Sequence, residues 1–281
     1  MFLLKNGVDL STLIQNQRQQ ESTIGFVPTM GALHDGHLSL LERSKLNQHF
    51  TICSIFVNPT QFNNAEDLTN YPRTLESDLR LLSESGLCDA VFVPSTEEMY
   101  PNGTVISETL DLGNLETIFE GRYRPQHFQG VAEIVGKLLQ LVQPDYLYMG
   151  QKDYQQCMVI QKLIALKKFP VQLITCPIRR ESDGLAMSSR NRRLTPTQRS
   201  LAGLLYQCLV SIQAQQEHKD FATVQKECME LLEKKGIQPD YVALADAESL
   251  APLDNYDLSK KMIALIAGSI GNIRLIDNLM L

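Results

Sequence analysis

The chain reads as an α/β protein, with a doubly wound parallel sheet in its larger N-terminal part and a smaller α+β domain after it. Three observations predict this. Short apolar runs rich in β-branched residues recur over the first 178 positions, several of them closed by a proline. Helical stretches separate these runs. Beyond position 178 the alternation gives way to long helical stretches and then to apolar runs around a Gly-Asn turn. Strands covered by helices on both faces carry near-continuous apolar sequence, which is the pattern of the first part.

Taken in order, residues 11–20 read as a polar helix opening at Ser11 or Thr12. Residues 24–27 form the first buried strand and stop at Pro28; the glycine-rich GALHDGH follows, then a helical pattern with Leu38, Leu40 and Leu41. TICSIFV, residues 51–57, is the second strand, ended by Asn58 and Pro59. A helix over 75–85 leads to a third strand, DAVFV at 89–93. A helix over 131–142 precedes a fourth strand at 146–149, and a helix over 154–168 precedes a fifth at 171–175. This alternation predicts a doubly wound, Rossmann-like domain over residues 1–178. Residues 196–235 hold two helical stretches, and YVALADAESL, MIALIAGSI and NIRLIDNLML follow. The last two flank Gly271-Asn272 and read as a hairpin. Residues 179–281 therefore form the smaller α+β domain.

Composition narrows the function. Of 281 residues, 43% are hydrophobic and 21% charged, ordinary for a globular chain. The net charge of -6 argues against a broad nucleic-acid surface, while leaving room for a local basic cluster around a phosphate. The apolar run at the N-terminus is too short for a signal peptide, and no stretch approaches the roughly 20 apolar residues of a membrane span. The six cysteines form no CxxC pair and read as reduced, buried thiols of a cytoplasmic protein.

The most informative segment is PTMGALHDGH, residues 28–37, where the first strand gives way to a helix. In an open α/β sheet ligands bind at the carboxyl ends of strands. Gly31 and Gly36 permit close backbone approach, and the helix start presents free N–H groups to an anion. His34 and His37, three apart, share one side of the first turn and suit a polyphosphate. The plainer reading is a helix cap with two ordinary histidines. DGLAMSSRN, residues 183–191, offers hydroxyl and guanidinium donors in a loop that could close over a triphosphate; the plainer reading is a polar linker. GQKD, residues 150–153, places Lys152 at a strand end as a phosphate-binding charge, with Asp153 as a helix cap in the plainer reading.

Together TMGALHDGH, IFVNPTQF, YPRT, YPNG, EGRYRP-HF-GV, GQKDYQQ and DGLAMSSRN resemble the pantoate–β-alanine ligase family over nearly all of residues 24–195. The resemblance implies a nucleotidyltransferase with a HIGH-type signature, here His34-Asp35-Gly36-His37, and a KMSKS-like loop, here Met187-Ser188-Ser189-Arg190. It implies ATP and Mg²⁺, with pantoate and β-alanine as substrates. Pantoate attacks the α-phosphorus to give pantoyl adenylate and pyrophosphate, and the β-alanine amine then displaces AMP. On the same ground Met30, Gly31, Ala32, Leu33, His34, Asp35, Gly36 and His37 line the ATP site. Gly150, Gln151, Lys152, Asp153, Arg179, Met187, Ser188, Ser189 and Arg190 complete it. The catalytic set is His34, His37, Lys152, Ser188, Ser189 and Arg190. Gln61 and Gln156 hold pantoate, with Met30 and Phe62 against its methyl groups, and Asp78 is linked to the metal. Asn58, Glu120, Arg124 and His127 fall in matching motifs without an assigned role. Gln126 and Gln151 depart from the common pattern, at positions that do not donate to phosphate. The resemblance also implies a homodimer that binds neither nucleic acid nor membrane, and a smaller domain that closes over the site. The competing enzyme class is an adenylyltransferase acting on a phosphorylated acceptor, which shares the HxGH site but lacks the two-glutamine pattern. An aminoacyl-tRNA-synthetase-like RNA binder is disfavoured by the acidic charge.

Overall fold

The structure is a computed structural model and describes residues 1–281. Its elements in chain order are β1 (Phe2–Leu4), α1 (Gly7–Gln19), β2 (Ile24–Thr29), α2 (Asp35–Leu46), β3 (Phe50–Ile55), α3 (Ala65–Thr69), α4 (Leu75–Ser85), β4 (Ala90–Phe92), α5 (Thr96–Met99), α6 (Phe119–Tyr123), α7 (His127–Val142), β5 (Tyr146–Gly150), α8 (Tyr154–Lys167), β6 (Gln172–Cys176), α9 (Pro196–Ala202), α10 (Leu204–Ala214), α11 (Phe221–Lys234), β7 (Gln238–Asp246), β8 (Pro252–Leu253), β9 (Met262–Ile270) and β10 (Ile273–Met280). They fall into two compact units. The first comprises residues 1–151 and 155–177; the second comprises 152–154 and 178–281.

The first unit is a six-stranded sheet in the order β1-β4-β3-β2-β5-β6, with all pairings parallel. The five expected strands are present. The sixth, β1, joins at the edge beside β4. Ile24, Phe26, Val27, Ile52, Cys53, Val91 and Phe92 are fully buried, which is why these strands read as unbroken apolar runs. Burying a side chain such as Phe26 contributes about 1.5–3 kcal/mol. The helices start where their caps dictate. Helix α1 begins earlier than Ser11, because Asn6 accepts from the Asp9 amide at 2.9 Å and caps it. Helix α7 is buried nearly all round, and Gly130 lets its first turn lie against residues 59–61: a Cβ there would sit 2.3 Å from the Thr60 carbonyl oxygen.

The second unit is an antiparallel sheet in the order β10-β9-β7-β8. The expected hairpin is β9–β10, paired from Ile270↔Ile273 to Ile263↔Met280, with Gly271 at φ +61 in its turn. Three helices occupy the span read as two. Helix α9 carries a full capping box of Thr195 and Gln198 with Pro196 in its first turn, and it ends at Gly203. Helices α10 and α11 bury Leu205, Leu209, Ile212, Val224 and Leu232 in one core with Val242, Leu244 and Ile266 of the sheet.

Candidate active site

Strand order in the first unit reverses at β2, with β3 on one side and β5 on the other. The crevice at such a switch point is where doubly wound folds bind ligands. Its opening has a visible cause. The β2–β5 pairing covers only Gly25↔Tyr146 and Phe26↔Leu147, whereas β2 pairs with β3 through Thr29↔Ile55. Pro28 lies two residues past the last β5 partner, Phe26, and has no N–H to give to a ladder.

The chain then turns through Gly31 at φ +78 and Ala32 at φ +49. The left-handed region costs a non-glycine residue about 1–2 kcal/mol, so something must hold Ala32 there. Asp78 of α4 does: its Oδ2 accepts from the Ala32 amide at 2.9 Å and its Oδ1 from the Leu33 amide at 2.8 Å. Thr74 Oγ1 donates to Oδ1 at 3.2 Å, and Thr29 Oγ1 accepts from the Gly31 amide at 3.2 Å. Asp78 is 2% exposed, and Ala32 and Leu33 are equally buried. Successive amides of this kind form an anion-binding nest. Here the protein's own carboxylate occupies it, so Ala32 and Leu33 contribute the shape of the loop and Asp78 serves as its clamp. No group of three His, Cys, Asp or Glu side chains is placed to hold a metal.

His34 is the N-cap of α2, and its Nδ1 accepts from the Gly36 amide at 3.1 Å. An accepting Nδ1 places the ring proton of a neutral imidazole on Nε2. The His34 and His37 ring centroids are 4.0 Å apart, and both residues are half-buried. The helix cap and the paired imidazoles are therefore one arrangement.

Gln61 lies on the 3₁₀ turn after β3 (Pro59–Gln61) and is 8% exposed. Its Nε2 is 3.0 Å from Met30 Sδ, which joins it to the loop after β2. Asn58 Nδ2 donates to Gln61 Oε1 at 3.2 Å, and His127 Nδ1 lies 2.7 Å from the Gln61 carbonyl oxygen. Arg124 Nη1 pairs with Glu120 at 3.9 Å in the same unit. Of the adjacent glutamines on α8, Gln155 is consumed by structure: its Nε2 donates to the Leu115 and Ile118 carbonyls, and its Oε1 accepts from the Glu120 amide. Gln156 is half-buried.

The remaining residues singled out in the sequence belong to the second unit, Gly150 and Gln151 excepted. Lys152 Nζ lies 3.5 Å from Asp153 Oδ1, and the Lys152 carbonyl accepts from Asn278 Nδ2 at 3.0 Å. Residues 179–187 form a tight return: the Glu181 amide donates to the Leu185 carbonyl at 2.8 Å, and the Met187 amide to that of Arg179 at 3.0 Å. Arg180 anchors it. Its guanidinium meets Asp277 at 2.6 and 3.0 Å, donates to the Gly184 and Asn278 carbonyls, and lies 4.0 Å from the Tyr206 ring centroid. Burial pushes the Asp277 carboxyl up, and Arg180 pulls it back. Gly184 has φ +88, and a Cβ there would lie 2.1 Å from Tyr206. Asp183 pairs with Arg199 at 2.5 Å. Asp183 and Gly184 are thus anchored on both sides. Ser188 caps the following turn (Ser189–Arg193) by accepting from the Arg190 amide at 3.3 Å, and Ser189 is 5% exposed. Sequence reading missed Tyr100, Arg180, Asp277 and Asn278; only the YPNG motif around Tyr100 pointed to any of them.

The architecture and this loop define a Rossmann-like α/β enzyme of the nucleotide-binding class. The family model described as pantoate-beta-alanine ligase matches residues 3–280. A pantothenate synthetase of Porphyromonas gingivalis is 41% identical over 280 residues, covering 99% of each chain. The crystal structure of pantothenate synthetase from Thermus thermophilus superposes with a TM-score of 0.91 at 40% identity over 99% of both chains. A Francisella tularensis pantoate-beta-alanine ligase, complexed with beta-gamma ATP and beta-alanine, gives a TM-score of 0.82 at 35% identity over 100% of this chain and 97% of its own. The chain belongs to the pantoate–β-alanine ligase family. It is a ligase, and its activity is the ATP-dependent joining of pantoate and β-alanine.

Proposed function

We propose that the reaction runs through a pantoyl adenylate, with His34 and His37 as donors to the phosphate chain of ATP. The observation that carries this is the close imidazole pair at the start of α2, at the switch point of the sheet. Donors fixed beforehand cost no reorganisation as charge builds on the departing pyrophosphate. Adenylation converts a poor leaving oxygen into a good one, and the protein's part is positioning and charge stabilisation. Gln61 and Gln156 take the pantoate hydroxyls and carboxylate. Lys152, Ser188, Ser189 and Arg190 supply further phosphate donors, and Met30, Gly31, Asp35, Gly36, Gly150, Gln151, Asp153, Arg179 and Met187 complete the nucleotide contacts. Mg²⁺ enters with ATP as the counterion of its phosphates, where one or two carboxylates and the substrate oxygens suffice. Both oxygens of Asp78 are already on amides. A cytoplasmic homodimer fits the family and the six free, buried cysteines; sedimentation equilibrium tests the dimer.

The deciding assay measures AMP and pyrophosphate from ATP with pantoate, with and without β-alanine. Bound adenylate and pyrophosphate without β-alanine, and AMP turnover only with it, are expected. An adenylyltransferase would release no AMP. His37→Ala should lower the adenylation rate about 10²–10³-fold, the usual cost of one preorganised donor; an unchanged rate removes His37 from the mechanism.

A further inference from the structure

Gln61 owes the direction of its amide to residues behind it. The Gly130 carbonyl can only accept, and Asn58 Nδ2 lies 3.1 Å from it. That contact turns the Asn58 NH₂ group toward Gly130 and its oxygen toward Tyr100, whose hydroxyl donates to Oδ1 at 2.6 Å. Thr60 Oγ1 lies 3.1 Å from the same oxygen. The Asn58 NH₂ group also reaches Gln61 Oε1, at 3.2 Å. Gln61 therefore engages its oxygen inward and directs its own NH₂ group to the side of Met30. Asn58 is 1% exposed and Tyr100 4%, so water does not substitute for these partners. Burial raises the Tyr100 phenol, which keeps it a donor, and Lys137 Nζ sits 4.2 Å above its ring.

We propose that Tyr100 is a positioning residue for the acid substrate: with the Gly130 carbonyl on the Asn58 NH₂ group and the Tyr100 hydroxyl on its Oδ1, the two ends of the Asn58 amide are held and Gln61 is fixed as a hydrogen-bond donor, so this part of the site selects an acceptor oxygen on pantoate. The proposal rests on the assignment of Gln61 to pantoate. A reversed Asn58 amide would set its oxygen against the Gly130 carbonyl and reverse Gln61 in turn, presenting an acceptor that a carboxylate oxygen of the substrate cannot answer.

The test uses calorimetry of pantoate and of ATP on the full-length enzyme, with steady-state kinetics alongside. Tyr100→Phe removes one hydroxyl and keeps the ring under Lys137. It should weaken pantoate binding about two- to tenfold, the usual effect of one lost network bond, with ATP affinity and kcat near wild type. Adding Thr60→Val removes the second hydroxyl and should bring pantoate affinity to the level of Gln61→Ala. Wild-type pantoate affinity in Tyr100→Phe, beside a clear loss in Gln61→Ala, overturns the positioning role and leaves the Gln61 assignment standing. Unchanged pantoate affinity in Gln61→Ala overturns that assignment and the proposal with it. Equal losses of pantoate and ATP affinity in Tyr100→Phe make Tyr100 a fold residue and also overturn the proposal.

Discussion

Two segments of this protein carry the residues assigned to phosphate, and each is held by a buried aspartate in a different way. In the first unit Asp78 grips the loop after β2 directly, through two backbone amides. In the second unit Asp277 grips residues 179–187 at one remove, through the guanidinium of Arg180. Both segments pass through left-handed backbone, at Gly31 and Ala32 in one and Gly184 in the other. The direct clamp fixes individual amides and so the shape of a turn. The relayed clamp fixes a charged side chain that reaches two carbonyls and an aromatic face, and so the placement of a whole return on its sheet. Shape fails by small steps when one oxygen is altered, whereas placement fails at once when the central charge loses its partner.

The largest expected effect tests the relay. Asp277→Ala leaves the half-buried Arg180 without its buried counterion and should cost about 3–5 kcal/mol of stability, read by urea denaturation. A loss under about 1 kcal/mol, the range of exposed pairs, would show that water replaces the carboxylate and that the relay is a surface pair. Asp78→Asn probes the direct clamp more gently. One oxygen stays, while the other becomes an NH₂ group facing a buried N–H, at about 1–3 kcal/mol. ATP affinity should fall with it, since the imidazole pair hangs on this loop. Stability lost with ATP affinity intact would separate the clamp from the site.

The smallest effect concerns the outer pair of the same return. The hydrogen bond from Arg199 holds the Asp183 carboxyl below its usual range. A folded-state value below the unfolded one stabilises the protein above the unfolded pKa of about 3.9, and that stability is lost as pH falls through the lower folded value. Asp183 is largely exposed, so screening limits the contribution to about 0.2–1 kcal/mol. The melting difference between wild type and Asp183→Asn should be present at pH 7 and shrink below about pH 4. A difference independent of pH would point to the Leu185 amide contact instead.

What the sequence made legible follows the range of the interactions. The five strands from β2 to β6 announced themselves by composition, because burial on both faces leaves a mark on each residue. Strand β1 did not: three residues at a sheet edge, half-exposed, are stabilised by a partner 88 positions away. The His34–His37 pair was legible because both lie on one helical turn. Asp78 was legible as a carboxylate of the site, but its grip on the loop was not, since nothing local says that its oxygens face amides 45 and 46 positions back. Arg180 and Asp277, 97 apart, and Tyr100 and Asn58, 42 apart, are invisible to any short-range pattern.

The clamp by Asp78 also bears on whether the HDGH signature is portable. A peptide spanning residues 24–46 would contain the strand, the turn and both histidines, yet none of α4. Freed of the carboxylate, Ala32 has no reason to keep φ +49, and the turn would relax into the extended conformations open to an L-residue. Grafting this motif onto another scaffold therefore means transplanting a second helix with an acid at the right height.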